Sequence, residues 1–273
     1  MSSSVLIFMA IYLPAMIAIQ CHGSGSTDNH MSEKNSEVAI YSDNGCWEES
    51  VTACRNMFQW AGFSVSTIDA EYINNSSLNN FRLICIPGGD MYQYARDISA
   101  RGKKKIEDFV RDGGAYIGIC GGAYFAATSV IWQGSQLPMT PLGLYQGEGR
   151  GPLEEITSCP EYCMTKINIT NTSHVITESL PDTAWILYYW GPALIPADTS
   201  EVVVLGRYSL GNLPAILAFS FGQGRVFLIG THPEIEEDDT RDSVTIADEL
   251  DDSGTDWELM KNAALWCLKV INQ

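Results

Sequence analysis

Residues Gly113–Ala127, GGAYIGICGGAYFAA, decide how the chain is read. The glycine pair stops whatever precedes it. Ala115–Ile119 is then a short, uninterrupted apolar run, as expected of a strand covered on both faces. Gly118-Ile119-Cys120-Gly121-Gly122 follows with the form G-x-C-x-G. A helix is expected from Gly121 to about Ser129. A turn this tight strains the backbone and lifts the side chain between the glycines to the carboxyl end of the sheet. The helix then aims its N-terminus at the thiol, and the partial positive charge there favours thiolate, the reactive form. Alone, the same five residues describe a structural cysteine among packed glycines equally well.

Outward from this point the chain alternates strands and helices. Val38–Tyr41, Phe63–Ile68 and Leu83–Ile86 read as strands, and residues 47–61 and 103–111 as helices by their apolar spacing. Such alternation implies parallel pairing with right-handed crossovers. The second half is richer in strands. Met164–Ile169, Glu201–Leu205, Ala215–Phe219 and Val226–Ile229 have short connections, which predicts antiparallel strands at one sheet edge. Trp257–Val270 is a closing amphipathic helix. The fold class is therefore α/β, a three-layer, doubly wound and mostly parallel sheet with antiparallel edge strands in the second half. Residues 37–273 form one domain.

Two further signals stand at strand ends. Thr231-His232-Pro233-Glu234 follows the strand that ends at Ile229. A thiol needs a base to carry its proton, and the base needs an orienting partner. Glu234 is placed to orient His232 if both lie on an extended turn. His174 lacks such a carboxylate. Pro87-Gly88-Gly89-Asp90 ends the strand Leu83–Ile86, where glycine lets backbone N–H groups face a developing oxyanion. Each signal alone has a plain structural reading. Together, at three strand ends of one doubly wound sheet, they fall where such sheets bind ligands.

Composition bounds the partners. The formal net charge is −17, from 33 acidic and 16 basic residues, which argues against nucleic acid. Residues 234–252 hold ten acids and one base and read as a solvated acidic loop, without the spacing of a calcium-binding loop. Cys159 and Cys163 are close enough for a local bridge; as half a metal site they have no second half. Gly147–Gly151, GEGRG, lacks the strand-then-helix context of a nucleotide-binding run and reads as a loop. No metal and no cofactor is expected.

Val5–Ile19 is an uncharged apolar run, short for a membrane span, which needs about 20 residues. Residues 1–22 read as a signal peptide or an N-terminal anchor, the second of which would bring membrane contact. Residues 23–36 read as a polar tether. Sequons at Asn74, Asn75, Asn168 and Asn171 agree with an exported protein, secreted or held at the outer face of the membrane.

Phe81–Tyr94, Gly113–Ala127 and Gly222–Glu237 carry a PGG turn, a G-x-C-x-G elbow and a late H-x-E. In these the chain resembles the class I glutamine amidotransferase-like superfamily, and within it most closely the biotin–protein ligase N-terminal domain, over residues 37–271. The resemblance implies Cys120 as nucleophile, His232 as general base, Glu234 as its orienter, and Gly89 and Gly121 as the oxyanion hole. Gly88, Asp90, Tyr94 and Tyr124 would line the substrate pocket, with Tyr92 and the stretch Trp185–Trp190 as further walls. Glutamine-hydrolysing members carry Gln where Tyr124 stands, and no acceptor domain for ammonia follows. No residues remain to build a ligase catalytic domain, so biotin ligation is not expected. The expected function is a Cys-dependent amidohydrolase acting on a small amide or peptide. The alternatives are a non-catalytic small-molecule-binding module of the same fold, and a PfpI-type peptidase or thiol-redox protein.

Overall fold

A computed structural model describes residues 37–237, 240–251 and 256–272. The first half runs β1 (Val38–Tyr41), α1 (Glu48–Trp60), β2 (Val65–Ile68), α2 (Ala70–Asn75), β3 (Leu83–Ile86), α3 (Met91–Asp97), α4 (Ala100–Arg111), β4 (Ala115–Ile119) and α5 (Gly121–Ala126). The second runs β5 (Ala127–Trp132), β6 (Ser135–Gln136), β7 (Tyr145–Gly151), β8 (Cys163–Ile169), β9 (Thr183–Tyr188), β10 (Ala193–Pro196), β11 (Val203–Tyr208), β12 (Pro214–Phe221), β13 (Gly224–Ile229) and α6 (Trp257–Cys267).

One sheet carries the fold, in the order β2-β1-β3-β4-β13-β12-β11-β8-β9. Strands β2 to β13 of that order are parallel; β12, β11, β8 and β9 pair antiparallel. β4 lies between β3 and β13, with Leu83 and Arg225 both opposite Ala115. Side chains alternate between two cores, as the period of two requires. Val38, Ile40, Leu83, Cys85, Ile117, Phe227 and Ile229 face α1 and α6. Ala39, Tyr41, Ile84, Ile86, Tyr116, Val226 and Leu228 face α3, α4 and α5. Three layers follow from that division.

Three expectations need correction. The helix after the elbow stops at Ala126, because Ala127 is extended and Thr128, Val130 and Ile131 suit a pleated strand. Gly147–Gly151 is part of β7, not a loop. It runs in a second sheet of order β10-β7-β5-β6, and Gly149 and Gly151 lie against the Tyr124 ring. The acidic stretch is not simply solvated: Glu234, Glu236, Glu237 and Asp242 are buried. Asp242 accepts the N–H groups of Glu236 and Val244 at 2.9 and 3.1 Å, and Arg241 pairs with Glu236.

Cys46, Cys54, Cys85, Cys120, Cys159, Cys163 and Cys267 are all free thiols, so Cys159 and Cys163 form no bridge. Of the sequon residues, Asn75 is exposed. The Asn74 amide instead donates to the Asp97 carbonyl at 2.9 Å and accepts from Ser99. Residues 1–36, with the expected signal or anchor and tether, lie outside the described residues. No helix among the described residues is long and apolar enough to cross a membrane.

Phe227 is fully buried at the centre of the sheet. Phe227→Ala should lower unfolding free energy by about 3–5 kcal/mol, read from the urea midpoint; an unshifted midpoint would contradict this account of the core.

Candidate active site

Three neighbouring parallel strands deliver the three motifs to one place. Cys120 directly follows β4 with φ 46° and ψ −103°, a conformation that non-glycine residues rarely adopt. Neighbouring backbone holds it there. The Cys120 N–H donates to the Ile229 carbonyl at 2.9 Å, the Gly122 N–H to Pro87 at 3.1 Å, and Ala123 and Tyr124 donate to the Cys120 carbonyl. A Cβ on Gly122 would collide with the Ile86 carbonyl, and one on Gly121 would sit 2.8 Å from the Gly89 nitrogen. The glycines thus let β3 and the elbow touch backbone to backbone.

Gly89, with φ 145°, turns the chain after β3. The Gly88 carbonyl accepts from Trp47 N–H at 3.0 Å and from the Tyr94 hydroxyl at 2.9 Å. The Asp90 N–H donates to Gly45 at 2.7 Å. The N–H groups of Gly89 and Gly121 make no hydrogen bond among the described residues. Two adjacent, unused donors beside a sulfur are what an oxyanion hole requires.

His232 follows β13 and is 1% exposed. Its Nδ1 lies 2.9 Å from Glu234 Oε1, and its Nε2 lies 3.3 Å from the Tyr189 carbonyl. The Cys120 Sγ is 3.6 Å from that same carbonyl, so sulfur and imidazole converge on one oxygen, close enough for the sulfur to act electrostatically on the ring. Burial works against the charged ring, but the Cys120 sulfur and the Glu234 carboxylate outweigh it, so His232 titrates well above its ordinary 6.5. Both ring nitrogens face oxygen atoms, which fits an imidazolium.

Glu234 is fully buried. Its Oε1 also accepts from the Ser50 hydroxyl at 2.5 Å, and Ser50 Oγ in turn accepts the Gly88 N–H at 2.9 Å. A single chain therefore runs from Cys120 through His232, Glu234 and Ser50 to the oxyanion turn. Ser50 was not foreseen from the sequence. Its one trace there is a polar residue on the inward stripe of α1, in helical register with Cys54 and Met57. A Cβ on Gly88 would sit 2.5 Å from His232 Cε1, so Gly88 admits the ring edge.

Cys120 and His232 open onto a cavity of about 550 Å³. Trp47, Tyr92, Tyr124, Trp132, Leu137, Tyr189 and Trp190 line it, together with Gly89, Asp90 and Met91. Gly88 and Tyr94 do not line it. Tyr94 is buried behind the turn, held by its hydrogen bond to Gly88, and Gly88 is covered by His232. The stretch Trp185–Trp190 is split: Trp185 faces outward, Ile186–Tyr188 enter the core, and only Tyr189 and Trp190 reach the cavity. The Tyr124 hydroxyl donates to the Trp190 carbonyl at 3.0 Å. His174 meets Trp266 edge-on, with its pKa lowered by burial and by nearby Arg225, and stands apart from the site. A hollow of about 620 Å³ at the amino end of β4, near Gly113 and Gly114, holds none of this chemistry.

Residues 36–265 match the family model described as "Biotin-protein ligase, N terminal". A protein of Chlamydia muridarum, described as uncharacterized, is 30% identical over 218 residues, covering 72% of this chain and 80% of that one. The biotin–protein ligase of Schizosaccharomyces pombe is 25% identical over 231 residues; these cover 76% of this chain but only 36% of the ligase. Among solved structures, PurLQS from Thermotoga maritima aligns over 85% of this chain and 98% of that chain, with a TM-score of 0.57 and 15% identity. A glutamine amidotransferase of the same organism aligns over 86% and 99%, with a TM-score of 0.56 and 12% identity. At such identities the structures speak for the shared fold.

Two outcomes are expected. His232 binds its proton more tightly folded than unfolded, so that proton adds stability below pH 6.5 and the contribution fades as pH rises through the folded value. Stability against pH should fall over that alkaline window, and less steeply in Cys120→Ala, which lacks the sulfur's charge; parallel curves would sink the coupling. Ser50→Ala leaves a buried Gly88 N–H unpaired and should cost about 1–3 kcal/mol in chemical denaturation. No loss would remove Ser50 from the chain of bonds.

Proposed function

The chain belongs to the family of biotin–protein ligase N-terminal domains, and from that footing we propose that it is a cysteine-dependent amidohydrolase acting on a small amide or peptide. The observation that carries this reading is the joined path from Cys120 through His232 to Glu234, beside the two unused N–H groups of Gly89 and Gly121. Each part has one role. With the thiol's proton already held on His232, the Cys120 sulfur adds to the amide carbon. The oxyanion forms against Gly89 and Gly121. His232 then gives its proton to the departing nitrogen, leaving a thioester on Cys120 and a free amine or ammonia. Water, deprotonated by His232, attacks the thioester, releasing a carboxylic acid and returning the sulfur and protonated His232 to their starting state. Glu234 holds the ring and balances its charge throughout.

Glu234 meets His232 from two residues away, and no carboxylate from another strand is called on. That arrangement favours the amidotransferase-like chemistry over a PfpI-type peptidase or a thiol-redox protein. One observation favours a second reading, a binding module without turnover: Tyr124 occupies the position where glutamine-hydrolysing members carry Gln, and its hydroxyl is committed to Trp190. We also propose an exported location, on the strength of the apolar run Val5–Ile19 and the sequons.

Cys120→Ala should abolish release of amine from any amide that the protein cleaves, and His232→Ala should lower kcat/KM by about a hundredfold to ten-thousandfold. Cys159 is exposed and will also react with thiol probes, so labelling is read by peptide mapping against Cys120→Ala. Full turnover in Cys120→Ala would refute the hydrolase. Probe labelling at Cys120 with no product from an amide library would favour the binding module.

A further inference from the structure

The cavity beside Cys120 has an unusual set of walls for a site that would take glutamine. Six aromatic rings bound it: Trp47, Tyr92, Tyr124, Trp132, Tyr189 and Trp190. Five of them pair into two groups, Trp47 with Tyr189 and Trp190, and Tyr124 with Trp132. Trp47 meets Tyr189 at 5.3 Å, Tyr189 meets Trp190 at 4.6 Å, and Tyr124 meets Trp132 at 5.9 Å between ring centroids. No lysine or arginine lines it among the described residues. The charged groups there are Asp90 and His232. His232 is closed off by Glu234 and the Tyr189 carbonyl, so its positive charge is already matched. Asp90 is exposed at the rim. Its Oδ1 caps α3 by accepting the N–H groups of Tyr92 and Gln93 at 2.9 and 3.3 Å, while its Oδ2 has no partner among the described residues.

Free glutamine carries an ammonium and a carboxylate on one carbon. Its carboxylate would enter among rings and next to Asp90 with no cation to receive it, which is unfavourable on both counts. Ring faces are electron-rich and attract cations, and Asp90 adds a full negative charge. A volume of about 550 Å³ also exceeds what a chain as small as that of glutamine fills.

We propose that this cavity accepts an aromatic amide that carries a positive charge and no carboxylate near the scissile bond. Turnover of such a compound rests on the amidohydrolase reading; its binding does not. Rings on the substrate stack on these aromatic side chains, and its cation sits between ring faces and Asp90 Oδ2.

The test uses L-phenylalaninamide, neutral 3-phenylpropanamide and L-glutamine. Binding is measured by calorimetry on Cys120→Ala, and ammonia release on the unaltered protein. L-phenylalaninamide should bind about tenfold more tightly than 3-phenylpropanamide, and both more tightly than L-glutamine. Asp90→Asn keeps a helix-capping side chain but removes the charge, and should narrow the roughly tenfold difference between the two phenyl amides, leaving the part due to the rings; an undiminished difference would remove Asp90 from the cation's site. If L-glutamine binds as well as L-phenylalaninamide, or if no phenyl amide binds up to its solubility limit, the proposal is wrong. Glutamine hydrolysed faster than L-phenylalaninamide would overturn it while leaving the hydrolase intact. The expected binding order without ammonia release would uphold the pocket's class and discard the hydrolase.

Discussion

Backbone lies directly on backbone where β3, β4 and β13 end, and the rest of the site depends on that contact. Gly121 packs on Gly89, Gly122 on the Ile86 carbonyl, and Gly191 on Gly230. Close-packed interiors leave no slack for a methyl group at such points. Because these chains approach without side chains between them, the Cys120 sulfur, two amide donors and the His232 ring share one small volume. The unfavourable φ of Cys120 is held by hydrogen bonds from its neighbours, including the one to Ile229. Local strain of this kind costs of order 1–3 kcal/mol and persists only where surrounding structure over-determines it.

Electrostatics completes what geometry begins. A buried imidazolium is costly unless charge partners surround it. Here the Cys120 sulfur lies on one side and the Glu234 carboxylate on the other, and the ring holds its proton against the pull of burial. Glu234 is in turn held by Ser50, whose oxygen also fixes the Gly88 amide. The acid–base pair and the oxyanion turn are therefore ordered by the same hydroxyl. Burial pushes the Cys46, Cys54 and Cys267 thiols upward, which keeps them protonated and inert.

Much of this was legible in the sequence because its signals are local. A glycine-flanked cysteine after an apolar run, a PGG turn and an H-x-E are each read within a few residues, and strand alternation supplies their common edge. What escaped depends on tertiary approach. Ser50 lies 184 residues from Glu234, and nothing near it announces a partner. Trp47, Trp132 and Leu137 come from separate elements and meet only across the cavity. β7 was hidden because its inward glycines carry no apolar signal; they leave room for Tyr124 and so erase the usual strand pattern. Tyr94 misled in the opposite way, since a tyrosine beside a functional turn can brace it from behind as readily as face a ligand.

The amino end of α1 places two duties one turn apart: Trp47 walls the cavity, and Ser50 holds the Glu234 carboxylate. Any drift of that helix end to admit a different ligand disturbs the orientation of the general base as well. Trp132 and Leu137 carry no such burden, since they come from β5 and the segment after β6 and touch neither Glu234 nor Ser50. In a lineage diverging toward new ligands, change is thus channelled to the Trp132 side, while the Trp47 side is restrained by what stands behind it.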